Sequence, residues 1–309
     1  MFGFRDIEIL QAIAQAGGFR AAAARSGMSQ SAMSTRVAAL ERRLGVRLFE
    51  RLGRGVRLST AGRRLLEESA RLIAARDRVV RELAGGEGLR GTVRIGVAET
   101  IVHTLLAALL ARLREAHPAV RFELTVDTSA ALARGLREDG IDVAILLEDA
   151  VPGGAEHEAL APIAVDWYAG PDRPRTREPL SVEALSRESI VTYSKGTTPY
   201  ARIERLFAGV DTPPLLHGSA SLSTVRHLIA GGFGIGILPR RMVGALPDEG
   251  EVRPLPVCDA ARPGPLRFVV AWLASENDPT GAIVARAALA ADQSDAEQRS
   301  LPVADDLLA

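Results

Sequence analysis

The chain has 309 residues, 47% of them apolar and 25% charged, enough length for two or three domains and too apolar for disorder along most of it. The formal net charge is zero, 38 basic residues against 38 acidic, and as a total it gives no sign of a nucleic-acid partner. The single cysteine, Cys258, excludes an intrachain disulfide framework and a cysteine-rich zinc site, and no run of 18 apolar residues offers a membrane span.

Residues 4–16 carry a helical stripe of Phe4, Ile7, Leu10, Ile13 and Ala14, stopped by Gly17-Gly18. Residues 19–26 contain four consecutive alanines and end at Gly27, a natural C-cap. Ser29 is an N-cap for a third helix over 30–44, with Ala32, Met33, Val37, Leu40 and Leu44 facing inward and Gly45 as its stop. Two short extended pieces, 48–51 and 56–58, flank Leu52-Gly53-Arg54-Gly55, a sequence suited to a tight hairpin. Thr60 caps a long helix running to about residue 83, in which Leu66, Ile73 and Val80 recur every seven residues beside Ala70 and Leu83. That stripe calls for a partner helix, most simply one from a second copy of the chain.

After the glycine-rich break at 85–88 the pattern alternates. Strands are expected at 92–98, 120–126, 142–147, 163–169, 190–193, 234–238 and 266–273. Helices are expected at 103–116, 130–139, 199–207, 222–230, 240–246 and 282–291. Such alternation points to parallel sheets covered by helices. Residues 292–309 are polar and aperiodic and read as a mobile tail. Arg5, Asp6 and Glu8 stand where a signal peptide needs its apolar core, so a cytoplasmic chain is expected.

Charge is divided unevenly along the chain. Residues 1–90 hold 17 arginines and no lysine against nine acidic residues, a net +8, and the remainder carries −8. A basic front end suits a nucleic-acid contact. Three helices with a short turn before the third, followed by a hairpin, describe a winged helix-turn-helix. The third helix then enters the major groove, where Gln30, Ser31, Ser34, Thr35 and Arg36 can meet base edges. Arg51, Arg54 and Arg57 on the wing, with Arg42, Arg43 and Arg47, supply charge for phosphates.

Ordered segments carry a family resemblance: Ala16-Gly17-Gly18-Phe19-Arg20-Ala21-Ala22-Ala23, Met28-Ser29-Gln30-Ser31-Ala32-Met33-Ser34, Leu40-Glu41-Arg42-Arg43-Leu44-Gly45-Val46-Arg47-Leu48-Phe49-Glu50-Arg51 and Leu58-Ser59-Thr60-Ala61-Gly62. Residues 6–62 resemble the DNA-binding domain of LysR-type transcriptional regulators, and a weaker likeness continues to about residue 291. Ser31 stands where the family usually has proline, and Thr35 where it often has arginine or glutamine. The resemblance implies an α/β protein overall. A winged helix-turn-helix (1–59) leads through a dimerising linker helix and hinge (60–88) to a two-lobe effector domain (89–291) shaped like a periplasmic binding protein, then the tail. It further implies operator DNA, a small-molecule effector, a homodimer or homotetramer and, for an activator, RNA polymerase as partners. No cofactor is expected.

On the same resemblance, the first lobe takes 92–161 and returns after 266, and the second takes 162–265. Their strand-to-helix turns expose helix N-termini, which favour carboxylates and other anions. Thr100, Thr128, Ser129, Thr197, Ser219 and Ser221 are the expected hydrogen-bonding groups, although each also suits a plain helix cap. Lys195, the only lysine, and His103 are candidates to read the ligand, alternatives being a solvated lysine and a capped histidine. Glu99 favours an amine or protonated acid, Lys195 a carboxylate, so ligand charge stays open. Residues 232–239 place their glycines before a strand, unlike a dinucleotide loop. There is no Gly-x-Ser-x-Gly elbow, paired-histidine spacing or phosphate loop, so the expectation is a regulator rather than an enzyme. The alternative is a DNA-binding scaffold whose back end only oligomerises.

Overall fold

The computed structural model describes residues 3–52, 55–84, 88–176, 178–244, 251–275 and 278–300. The chain forms two compact units, Met1–Leu83 and Ala84–Ala309. The first contains α1 (Phe4–Ala16), α2 (Phe19–Ser26), α3 (Gln30–Leu44), the hairpin β1 (Phe49–Leu52) and β2 (Gly55–Leu58), and α4 (Thr60–Ala84). The first three helices stop where glycine takes left-handed φ: 67° at Gly17, 64° at Gly27 and 70° at Gly45. The Ser29 hydroxyl accepts from the Ala32 amide at 3.2 Å and opens α3.

Ile9, Leu10, Ile13, Ala22, Met33, Val37, Leu40 and Leu48 form the core of this unit. Burying Met33, Val37 and Leu40 contributes about 1.5–3 kcal/mol each and seats α3 on α1 and α2. Three expected inward positions turn out exposed: Ala32 lies on the outer face of α3, Leu44 at its last residue, and Phe4 at the first residue of α1. The Phe4 ring instead carries the Arg76 guanidinium, 4.9 Å from its centroid.

The seam on α4 also differs. Leu66 packs against the N-terminal core, and Ile73 is half-buried. The exposed apolar pair at heptad spacing is Leu72 and Val79, one position back from the expected stripe. The first turns of α4 are consumed by docking to their own unit. Side chains of Ala70, Val80 and Leu83, and residues 53–54 of the wing, lie outside the described residues.

The second unit opens with β3 (Thr92–Val97), α5 (Glu99–Thr104), α6 (Leu106–Ala116), β4 (Arg121–Val126), α7 (Ser129–Arg137), β5 (Val143–Leu147) and β6 (Ala155–Ala159). It continues through β7 (Val165–Ala169), α8 (Val182–Leu185), β8 (Ser189–Tyr193), α9 (Thr198–Leu206), β9 (Leu215–Ser219), α10 (Leu222–Ala230), β10 (Ile235–Pro239), α11 (Arg240–Gly244) and β11 (Arg253–Pro254). It closes with β12 (Phe268–Leu273) and α12 (Thr280–Ser300). Two five-stranded sheets result, β4-β3-β5-β12-β6 and β11-β7-β10-β8-β9, each the centre of a lobe.

Both sheets are mixed rather than parallel. β12 runs antiparallel to β5 and β6, and β7 runs antiparallel to β10. The reason is connectivity: β12 enters its sheet from the other lobe, without the crossover helix that parallel neighbours require. The two crossings pair with each other, Ile163 N donating to Leu266 O at 2.8 Å and Leu266 N to Ile163 O at 2.9 Å.

Three strands were not expected, β6, β9 and β11, nor was α8. The stretch 103–116 is the end of α5 and all of α6, broken at Leu105, and α11 ends at Gly244 with 245–246 outside the described residues. The supposed tail also needs correction, since α12 runs past residue 291 to Ser300. Asp292, 5% exposed, accepts from the Ala161 amide at 2.7 Å and pairs with Arg241 of α11 at 2.6 Å. A buried carboxylate with two donors fixes this turn of α12 against the first interlobe crossing.

Candidate functional site

In the first unit, burial of Met33, Val37 and Leu40 turns the opposite side of α3 outward. Gln30, Ser31, Ser34 and Thr35 are all exposed there. The Ser31 hydroxyl is 3.0 Å from that of Ser29, so part of its hydrogen-bonding capacity serves the cap.

Arg36 behaves differently from the expectation. Its Nε donates to Asp6 Oδ1 at 2.7 Å, and Arg43 approaches Oδ2 at 3.3 Å. Asp6 is 6% exposed and also accepts the Gly3 amide at 3.0 Å. Burial pushes its carboxyl pKa up, but the Gly3 amide, Arg36 and Arg43 outweigh this and hold it below the usual aspartate value. Arg36 thus ties α3 to α1 rather than extending as a free base reader. Arg57 forms an ion pair with Glu50 across the wing strands at 2.9 Å, while Arg51 lies on β1 opposite Val56. Arg54 lies outside the described residues.

In the second unit, a cleft of about 720 Å³ lies between the lobes. Thr100, Thr128 and Ser129 line it from one lobe, Thr197 and Ser219 from the other. These are five of the six expected hydroxyls, brought together from four strand-to-helix turns. Much of their capacity is already used: Thr128 accepts from Ala131 N at 3.3 Å, Ser129 from Leu147 N at 3.1 Å, and Thr197 donates to Ser194 O at 2.7 Å. The sixth, Ser221, caps α10 and does not line the cleft. Neither do Lys195, which is exposed, and His103, whose Nε2 lies 3.3 Å from Glu99 Oε1 one helical turn back.

Sequence reasoning did not single out Tyr193, Arg134, Arg137 or Asp149, which also line the cleft. The two arginines are three apart on α7 and share a face, a spacing visible in the sequence. Tyr193 ends β8; its hydroxyl is fully buried without a well-aligned hydrogen-bond partner. Burial pushes the phenol pKa well up, and the neighbouring Thr100 side chain pulls the other way. Among the described residues, no cluster of histidine, cysteine and carboxylate groups could hold a metal ion. No helix among them is long and apolar enough to cross a membrane.

Comparison with known proteins matches residues 4–63 to the bacterial regulatory helix-turn-helix protein, lysR family, and residues 86–292 to the LysR substrate binding domain. The hydrogen peroxide-inducible genes activator of Dickeya chrysanthemi is 32% identical over 76% of this chain and 78% of its own length. The regulator CbbR of Xanthobacter flavus is 28% identical over 82% of this chain and 77% of its own. The solved full-length CbnR in complex with its target DNA shares the fold at 20% identity, with a TM-score of 0.67 over 94% of this chain and 100% of that one. The chain belongs to the LysR family: it is a DNA-binding transcriptional regulator with a two-lobe effector-binding domain.

Proposed function

We propose that the protein is an effector-gated regulator in which α3 reads operator DNA and the interlobe cleft binds a small polar molecule. The observation that carries the second half is the convergence of seven serine and threonine residues from both lobes on one cleft, among them Thr100, Thr128, Ser129, Thr197 and Ser219. Gln30, Ser34 and Thr35 face base edges, with Ser31 sharing its hydroxyl with the cap. Arg51, Arg54 and Arg57 on the wing serve the phosphates. Residues 1–59 form the DNA-binding domain and 60–88 the linker. Leu72 and Val79 on α4 supply the dimer seam, and effector domains from two dimers complete a homotetramer. A carboxylate on the effector meets Arg134 and Arg137 on the α7 wall.

Effector binding favours one separation of the lobes over another, changes dimer spacing and so alters the bend of the DNA. In an activator this new geometry recruits RNA polymerase. The protein carries out no reaction of its own and works in the cytoplasm. The single thiol, Cys258, leaves this sequence without an intramolecular disulfide switch, which needs two.

Thermal unfolding of the full chain against a panel of small hydroxy acids, amino acids and carboxylates tests the cleft. A true effector raises the transition of the wild type and not of Ala130→Trp, which fills the cleft from α7. A shift that survives Ala130→Trp sinks the cleft as the binding place.

A further inference from the structure

One residue of the cleft reaches from one lobe to the other. Glu99, in the first turn of α5, belongs to the first lobe, yet its Oε1 accepts the Leu222 amide of the second lobe at 3.1 Å. Leu222 is the first residue of α10, and its amide has no partner within that helix. The Glu99 carboxylate therefore sits at the positive end of a nine-residue helix, the place an external anion would take. His103 holds the same oxygen from one turn further along α5.

Elsewhere the cleft carries both signs of charge, Asp127 and Asp149 lining it together with two arginines. Arg134 and Arg137 line the α7 wall and form no ion pair among the described residues. Tyr193 ends β8 at the cleft with its hydroxyl fully buried beside the Thr100 side chain and no well-aligned partner. We propose that Glu99 is an internal anion that fills the seat at the start of α10, bridges the lobes, and sets effector polarity. The effector lies with its anionic end on Arg134 and Arg137 and an uncharged or cationic end toward Glu99. A carboxylate directed at α10 is excluded because it would have to eject Glu99. This rests on the reading of the cleft as the effector site.

The test uses the full-length protein and acetate as the probe, with sodium acetate compared against sodium chloride at equal ionic strength. Glu99→Ala vacates the seat, so acetate raises its unfolding temperature by about 2 °C more than it raises that of the wild type. Glu99→Gln keeps the seat filled and responds like the wild type. Glu99→Ser, which retains a polar residue at the start of α5, gives the same reading as Glu99→Ala should that variant not fold. An acetate response in the vacated variants no larger than in the wild type overturns the proposal. Acetate rescue requires no natural effector, so its outcome is separate from that of the ligand panel. Rescue with an empty panel would leave the seat intact and remove the effector site.

Discussion

The outer face of α3 and the interlobe cleft are both assembled around helix ends, but they use sequence differently. On α3 the reading residues fall within six consecutive positions, and burying Met33, Val37 and Leu40 turns Gln30, Ser34 and Thr35 outward. The cleft draws on four turns spread from Ala98 to Ala220 and exists only because the chain crosses twice between lobes. A local helix therefore specifies one site, and the closure of a long loop specifies the other. Damage to the first should appear mainly in DNA recognition; damage to the second should first appear in the stability and alignment of the lobes.

The largest expected effect falls on the second. Asp292→Ala removes the buried carboxylate that accepts from Arg241 and the Ala161 amide and should cost roughly 3 kcal/mol, read by denaturant unfolding of the full chain. A loss below about 0.5 kcal/mol would return Asp292 to the status of a tail residue.

In the first unit, Asp6→Asn should cost roughly 1–2 kcal/mol by weakening the link from α1 to Arg36 and Arg43. Because the folded pKa is lowered, this stability is present above the unfolded value of ~3.9 and disappears as pH falls through the folded one. The gap between wild type and Asp6→Asn should close in acid; a gap that widens below about pH 4 would contradict the pairing.

Two further substitutions leave stability alone and separate base reading from phosphate charge. Gln30→Ala should relax operator specificity by about 1–3 kcal/mol at one position, and Arg51→Ala should weaken binding to all sequences while lowering the salt slope by ~0.9. Titrations at several salt concentrations measure both, and an unchanged slope for Arg51→Ala would remove it from the phosphate contacts.

The same contrast explains what could be read in advance. The bounds of α3 follow from two local signals, the Ser29 cap and the left-handed Gly45. The strands β6 and β9 lie at sheet edges, and β6 exposes Glu156, His157 and Glu158, so neither carries the alternation that marks a half-buried strand. Heptad spacing was visible on α4, but docking of Leu66 to the N-terminal core moved the free stripe to Leu72 and Val79. Five cleft hydroxyls were legible because cap residues after strands are local features. Tyr193 and the α7 arginines were not, because their value depends on a facing lobe. Lys195 stood out by its rarity alone, and rarity carries no information about direction.

The paired crossing at Ile163 and Leu266 has a mechanical consequence. Two extended segments joined side by side by two hydrogen bonds make a narrow joint between the lobes. Bending across the plane of so narrow a joint would be the softest motion open to the lobes. Molecules of quite different shape would then be reported to the rest of the protein as a single number, the opening angle, which lets a cleft change its chemistry without redesigning the output.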